Sequence, residues 1–264
     1  MNKLTSLADA AALVRPGDTL ALGGMTLYRR PVAFVGELLR RPSVTDLTLL
    51  CFTAGYESDL LVGAGRVRRV RTCYFGLEVL GLAPMFTEAA NAGNVEVVEE
   101  SEASLAFGLK AAMANVGFMP GRGWLGTDML KLRPDVKTVA DPYNGETLVA
   151  FPAITCDVAA IHALQADPAG NADLGGNLGV DVELAVIAKT VVVTAETIAP
   201  KLARADVAAP AVTAVVHAPH GAWPTSCHPL YPVGGGELLR YIDACNAGQF
   251  DRYVGELPTG VREP

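Results

Sequence analysis

The sequence is short of most groups that announce a function. It has four histidines in 264 residues, none in the H-E-x-x-H type of spacing that gathers zinc, so no metal site is expected. Its five cysteines, Cys51, Cys73, Cys156, Cys227 and Cys245, are odd in number, widely spaced and lack a C-x-x-C pair. That excludes a disulfide framework and suits a reduced, cytoplasmic setting. Charged residues make up only 19% of the chain, while 50% is hydrophobic, which is the composition of globular and not disordered material. Basic residues are outnumbered 21 to 28, for a net charge of -7. The broad basic face that a duplex requires is missing, and no nucleic acid partner is expected. No apolar run approaches the roughly 20 residues of a membrane span. The opening "MNKLTSLADAAALVRPGD" lacks the sustained apolar segment of a secretory leader, and no membrane association is expected. Neither G-x-G-x-x-G before a helix nor G-x-x-x-x-G-K-[ST] occurs, which disfavours a dinucleotide or ATP enzyme.

What is present is alternation. The opening segment reads as a short amphipathic helix capped by Ser6, with Asp9 three residues on. "DTLALGG" is a strand broken by Gly23-Gly24, and "RPVAFVGELLRRP" a helix opening at Pro31 and closed by Pro42. "DLTLLCF", "RVRRVRTCYF", "VEVVEE", "DVAAIHAL", "KTVVVTAE" and "VTAVVHAP" read as further strands. "SEASLAFGLKAAMANVG" is a helix with Gly117 at its end, and "GGGELLRYIDACNAG" a late helix after a glycine hinge. Apolar strands alternating with helices predict an α/β fold with a mainly parallel sheet and helices on both faces. No repeat or linker divides the chain, so residues 1–264 read as one domain. The stretch from Gly117 to Asn144 is rich in Pro, Gly and Asp and reads as an irregular excursion from it.

Two stretches have the outline of a ligand site. In "GDTLALGGMTLYRRP", Gly17 to Pro31, a strand ends in two glycines whose neighbouring amides can approach a ligand, and a helix then opens. Gly23, Gly24, Met25, Arg29 and Arg30 could hold a phosphate or carboxylate; a plain turn with two solvated arginines fits the same residues. In "DVAAIHALQADPAGNADLGG", His162 shares a strand face with Val158, Ala160 and Leu164, while Gln165 lies on the other face. Asp167, Gly170 and Asn171 carry turn chemistry. Gly175, Gly176 and Gly179 precede the helical "VDVELAVIAKT", in the outline of an anion or oxyanion site. A lone strand histidine is also an ordinary core residue.

Other features have ordinary explanations beside functional ones. The run "GRVRRVR" suits phosphates or a solvated edge strand. Glu99, Glu100 and Glu102 suit an acidic helix start or a carboxylate facing a cleft. Adjacent Cys227 and His228 are a poor candidate for a nucleophilic pair.

Taken in order, three stretches resemble one family. "GDTLALGGMTLYRRP" resembles the glycine signature of family I coenzyme A transferases, in the form of the glutaconate-type first subunit. "DVAAIHALQADPAGN" resembles that family's strand ending in Asp, a small residue, Gly and Asn. "KTVVVTAETI" with "HAPHGAWPTSCHPLYP" resembles its carboxyl-terminal part. Met25 replaces the usual Phe, and Arg29 a frequent Gly.

The resemblance implies the coenzyme A transferase fold, shared with sugar-phosphate isomerases. It also implies a two-chain enzyme, an α2β2 heterotetramer of this α subunit with a homologous β subunit, acting on acyl-coenzyme A and carboxylic acids without a further cofactor. Catalysis in that family runs through a β-chain glutamate just past a strand equivalent to "DLTLLCF". Here that strand ends in Cys51, Phe52, Thr53, Ala54 and Gly55, with Glu57 beyond the glycine. The Gly23-Gly24 turn and the "ADPAGN" loop are then expected to face the acyl group, with backbone amides stabilising the oxyanion. Relatives on the same scaffold hydrolyse a carbon–carbon bond with an α-chain glutamate placed near Glu102, or decarboxylate a glutaconyl-type thioester. A catalytically silent scaffold or effector-binding subunit is the alternative of another class.

Overall fold

Each apolar run named above becomes a strand of one sheet in the computed structural model, which describes residues 2–257. Across that sheet the parallel strands run Ala214–His217, Ala188–Ile198, Cys156–Ala166, Thr19–Leu22, Leu47–Leu50, Val67–Thr72 and Glu96–Glu99. The chain starts in the middle, at Thr19–Leu22, and builds outward to Glu96–Glu99. It then returns to the other side of its first strand with Cys156–Ala166, where Leu20 pairs with Val158 and Leu22 with Ala160. The strand order therefore reverses between these two neighbours. In open α/β sheets the crevice at the carboxyl ends of such strands is where ligands bind.

Alternate residues feed two cores because successive strand side chains point to opposite faces. Leu20, Leu22, Leu47, Leu49, Val158 and Ala160 pack with Phe34, Leu38, Leu60 and Tyr241 from the helices Val32–Leu39, Tyr56–Gly63 and Gly235–Asn246. Ala21, Leu50, Ala159, Ile161 and Val193 pack on the other face with Leu105, Leu109 and Leu184, from the helices Glu102–Met113 and Asp181–Ile187. The first helix, Leu7–Ala11, has Ser6 as its cap, accepting from the Asp9 amide at 3.0 Å.

Three expectations are corrected. The stretch from Gly117 to Asn144 is not irregular. Phe118–Gly121 and Lys137–Ala140 flank Thr147–Pro152 in a small antiparallel sheet with its own core of Trp124, Val136, Val149 and Phe151. The basic run is not an edge: Val67–Thr72 lies between Leu47–Leu50 and Glu96–Glu99. Two of its charges are met by carboxylates, Arg69 by Glu96 directly across the register at 2.8 Å and Arg71 by Glu100, just past that strand, at 2.7 Å. The helix Glu102–Met113 ends before Gly117, and Asn115, with φ +54°, takes the left-handed position expected of that glycine.

Candidate active site

At the switch point the strand Thr19–Leu22 turns back on itself. Gly23 still donates to Ala160 O at 2.9 Å, and Met25 and Tyr28 then exchange backbone bonds of 2.9 and 2.7 Å. Gly24 has φ +79°, and a Cβ there would lie 2.5 Å from Tyr28 O, so the tight turn demands glycine. A Cβ on Gly23 would lie 2.7 Å from Asp181 Oδ1. It is thus a carboxylate of the protein, and not a ligand, that approaches this backbone. Asp181 Oδ1 accepts the Gly24 amide at 2.8 Å, and Thr53 Oγ1 the Thr26 amide at 2.9 Å. The amides from Gly23 to Thr26 are all committed, which corrects the expectation that they form the oxyanion site.

The two arginines are likewise turned inward. Arg29 and Arg30 are both 0% exposed. Arg29 Nη2 lies 2.8 Å from Asp181 Oδ2 and donates to Asn177 O at 2.9 Å, while Nη1 donates to His162 O. Arg30 donates to Glu57 Oε1 at 2.6 Å, Gly24 O at 2.9 Å and Thr53 O at 3.0 Å. Burial alone would lower the Arg30 guanidinium, but Glu57, together with Cys51 and Asp181, holds the group above its usual value. Neither the free anion cradle nor the pair of solvated side chains is found. Each arginine is a buried cross-tie neutralised by one carboxylate. Glu57 is equally buried, clamped by Arg30 and by Ser58 Oγ at 2.6 Å, and among the described residues its Oε2 has no hydrogen-bond partner.

His162 is fully buried. Its Nε2 lies 2.8 Å from Glu196 Oε1 and its Nδ1 2.8 Å from Thr194 Oγ1, both reached from the adjacent strand Ala188–Ile198. Burial lowers its pKa, which keeps the ring neutral. A carboxylate only accepts, so Nε2 carries the proton and Nδ1 accepts from Thr194. Glu196 also accepts from the Tyr231 hydroxyl and, at 2.6 Å, from the His220 amide. Burial pushes Glu196 up, yet these donors hold it below the usual carboxylate value. By donor type, His162, Glu196 and Cys227, whose ligand atoms lie within 4.8 Å of one another, could hold a metal. As arranged they are hydrogen-bonded instead, and burial pushes the Cys227 thiol up to about 12. Cys227 and His228 do not share a site in the way a nucleophile and base must: the first is buried and the second exposed.

The "ADPAGN" loop is a hairpin turn organised from within. Asp167 accepts the amides of Ala169, Gly170 and Asn171 at 3.0 Å each, the Asn171 side chain at 2.9 Å and Leu202 N at 3.1 Å. Burial pushes its pKa up, but these donors leave it lowered. A Cβ on Gly170 would lie 3.1 Å from both Lys3 and Val212, so this face packs on the protein. Asp167, Gly170 and Asn171 are therefore taken up by the turn and its packing, and Gln165 lies exposed beside them. They build the turn that reverses the chain into Ala172–Asp173. After the hairpin, Gly175 approaches Leu164 and Tyr28, and Gly179 approaches Met25 Sδ, 3.2 Å from where its Cβ would be. Gly176 and Asn177 are exposed, and among the described residues no protein acceptor meets their amides.

Glu102 stands apart as the exposed first residue of its helix, after a Ser101 cap. It acts electrostatically on Cys73, which burial and then Glu102 push up to about 11 and whose thiol donates to Phe52 O at 2.8 Å. Glu102 follows the carboxyl end of the strand Glu96–Glu99, next to that of Val67–Thr72. The residues not foreseen from sequence are Asp181, Glu196, Thr53 and Tyr231. Asp181 had a local signal, but only that of an acidic helix start.

A family model described as coenzyme A transferase matches residues 4–215. The chain is 35% identical over 284 residues to a glutaconate CoA-transferase subunit of Acidaminococcus fermentans, covering 97% of this chain and 88% of that one. It is 38% identical over 185 residues to a cholesterol ring-cleaving hydrolase IpdA subunit of Rhodococcus jostii, covering 66% and 61%. It is 33% identical to an uncharacterised protein of Archaeoglobus fulgidus, of which it spans 59%. Among solved structures, a variant of the decarboxylase AibA/AibB superposes with a TM-score of 0.92 at 30% identity, over 97% of this chain and 99% of that chain. Glutaconate coenzyme A-transferase from A. fermentans superposes with a TM-score of 0.89 at 32% identity, over 96% and 88%.

Proposed function

Since this chain belongs to the coenzyme A transferase family, we propose that it is the α subunit of a two-chain enzyme that moves coenzyme A between carboxylic acids. Its partner is a homologous β subunit, in a cytoplasmic α2β2 assembly. One observation carries this reading. The strand Leu47–Leu50 leads to Cys51, Phe52 and Thr53, and the nearest glutamate, Glu57, is buried and held by Arg30. A carboxylate so enclosed cannot attack a thioester, so the nucleophile comes from the partner chain. That glutamate attacks the acyl carbonyl, coenzyme A thiolate leaves and a mixed anhydride forms. The thiolate then attacks the glutamyl carbonyl, releasing the first carboxylate and leaving a glutamyl thioester. The acceptor carboxylate reverses the sequence and departs as the new thioester.

The test is to assay the chain alone and with its β partner, using several acyl donors. The expected outcome is no turnover alone, and parallel initial-rate lines with a trapped β-chain adduct for the pair. Intersecting lines with no adduct on either chain would overturn the reading.

A second reading rests on Glu102. Its exposed position beside Cys73, together with the similarity to a ring-cleaving hydrolase subunit and a decarboxylase, favours a thioester hydrolase or lyase on the same scaffold. In the hydrolase, which cleaves a carbon–carbon bond, Glu102 would activate water as general base.

A further inference from the structure

Asp181 is the group that the glycine turn and the glycine loop have in common. It opens the helix Asp181–Ile187 and is 0% exposed. One oxygen accepts the Gly24 amide at 2.8 Å; the other pairs with Arg29 at 2.8 Å. Arg29 in turn holds Asn177 O at 2.9 Å and also His162 O. The turn carrying Met25 and the loop carrying Gly176 and Asn177 are thereby tied through one carboxylate and one guanidinium. A Cβ on Gly176 would meet nothing within 4 Å, so this loop borders open space at the switch point. Its unengaged amides lie there, while those of the turn are consumed internally.

We propose that Asp181 is a positioning residue for the transfer reaction. Acting through Gly24 and Arg29, it fixes the Gly176–Asn177 backbone against the Met25 turn, where the thioester is presented to the partner's carboxylate. The proposal rests on the two-chain transferase reading. A carboxylate is needed because an amide would still accept from Gly24 but would leave Arg29 buried and uncompensated. Misplacing a reacting group by about 1 Å costs on the order of 100-fold in rate, so a slack tie should show in turnover before binding.

The experiment compares the wild-type complex with Asp181→Asn, Asp181→Asn/Arg29→Gln and Arg29→Lys, each assembled with the β subunit. The single Asp181 variant should lose thermal stability. The double variant removes both charges and should recover much of that loss. Its kcat should nevertheless stay roughly 10- to 100-fold low, with KM for acyl-coenzyme A within about threefold. Arg29→Lys keeps the charge and loses the planar fork to Asn177 and His162; about a tenfold fall in kcat is expected without a large loss of stability. Hydrogen exchange supplies a readout independent of activity. The engaged amides of residues 23–26 and those of Leu174, Gly175 and Gly179 should exchange faster together in the double variant, while the strand Ala188–Ile198 is unchanged. If the wild-type complex transfers no coenzyme A, the transferase reading fails, and the exchange result still decides the tie. Recovery of kcat along with stability, a loss confined to KM, or unaltered exchange in either segment would overturn the proposal.

Discussion

Two regions at the carboxyl end of the same sheet carry charge in opposite ways. At the Gly23–Arg30 turn, two guanidinium groups and two carboxylates are sealed inside and matched in pairs. At the rim formed by Phe52, Cys73 and Glu102, a carboxylate stands in solvent. The turn is the more conspicuous in sequence, with paired glycines, paired arginines and a helix-opening proline. Yet those features form a frame that is closed to a substrate, because both arginines are 0% exposed and paired with carboxylates. Buried matched charges hold backbone segments in register, whereas chemistry requires a group that a substrate can touch.

The largest effect expected from breaking the frame follows from Arg30→Met. It strands Glu57, one of whose oxygens already lacks a partner among the described residues, and should cost about 3–5 kcal/mol, read as a fall in the unfolding midpoint. The paired change Arg30→Met with Glu57→Leu should restore much of that, because replacing both charges leaves no buried ion. A single variant that unfolds like the wild type would show that the frame is not closed. A smaller loss is expected from Gly24→Ala, where φ is +79° and the new Cβ meets Tyr28 O at 2.5 Å. Backbone strain of this kind costs roughly 1–3 kcal/mol, and the equivalent Gly176→Ala, in open space, should cost much less.

Much of the frame was legible because its signals are local. Strands such as "DVAAIHAL" announce themselves by apolar residues bounded by turn formers, and the Ser6 cap by its spacing to Asp9. The pairs that close the frame were not legible. Gly24 and Asp181 lie 157 residues apart, and Arg30 and Glu57 lie 27 apart, so no periodicity links them. "VRRVRT" looked like a solvated edge because its compensating glutamates lie in and just past another strand and appear only with the register, Arg69 opposite Glu96. "FMPG" hid a strand because its Pro and Gly are turn residues in isolation. Of the site, glycine is demanded by close contacts at 23, 24 and 175 but not at 176, where a Cβ would meet nothing within 4 Å. The role of Asp167, Gly170 and Asn171 was not legible, since a turn that binds itself and a turn that binds a ligand share one composition.

The frame has a further buried carboxylate that sharpens the comparison by pH. Asp59 accepts from the Tyr241 hydroxyl at 2.6 Å and from the amides of Phe86 and Met85. Burial pushes it up to about 6 despite these donors, with Glu57 adding to the rise. Its folded value lies above the usual 3.8, so the folded state binds the proton more tightly. Its contribution is full below the unfolded value and is lost as pH rises through about 6. Lowering pH from roughly 7.5 to 5 should therefore add about 1 kcal/mol from this group. His162, whose pKa is lowered, acts in the opposite direction below its usual value of 6.5. The difference between wild type and Asp59→Asn across this range isolates Asp59; a difference that is flat with pH would remove it from the frame.

The smallest expected effect tests the other region. Glu102 is exposed and supplies neither the cap nor the core of its helix, because Ser101 is the cap and Leu105 and Leu109 face inward. Glu102→Gln should leave the unfolding midpoint unchanged. If the partner supplies the nucleophile, turnover should fall by less than about threefold, which is under roughly 0.7 kcal/mol of activation free energy. If instead Glu102 activates water, the same change removes a general base worth roughly 100- to 10,000-fold. The two readings thus separate by more than an order of magnitude on a variant whose fold is undisturbed. Measuring kcat for thioester exchange and for hydrolysis in the same complex decides between them. A collapse of turnover with assembly and midpoint intact would move the reacting carboxylate from the partner to this chain, and would make the exposed rim the catalytic centre.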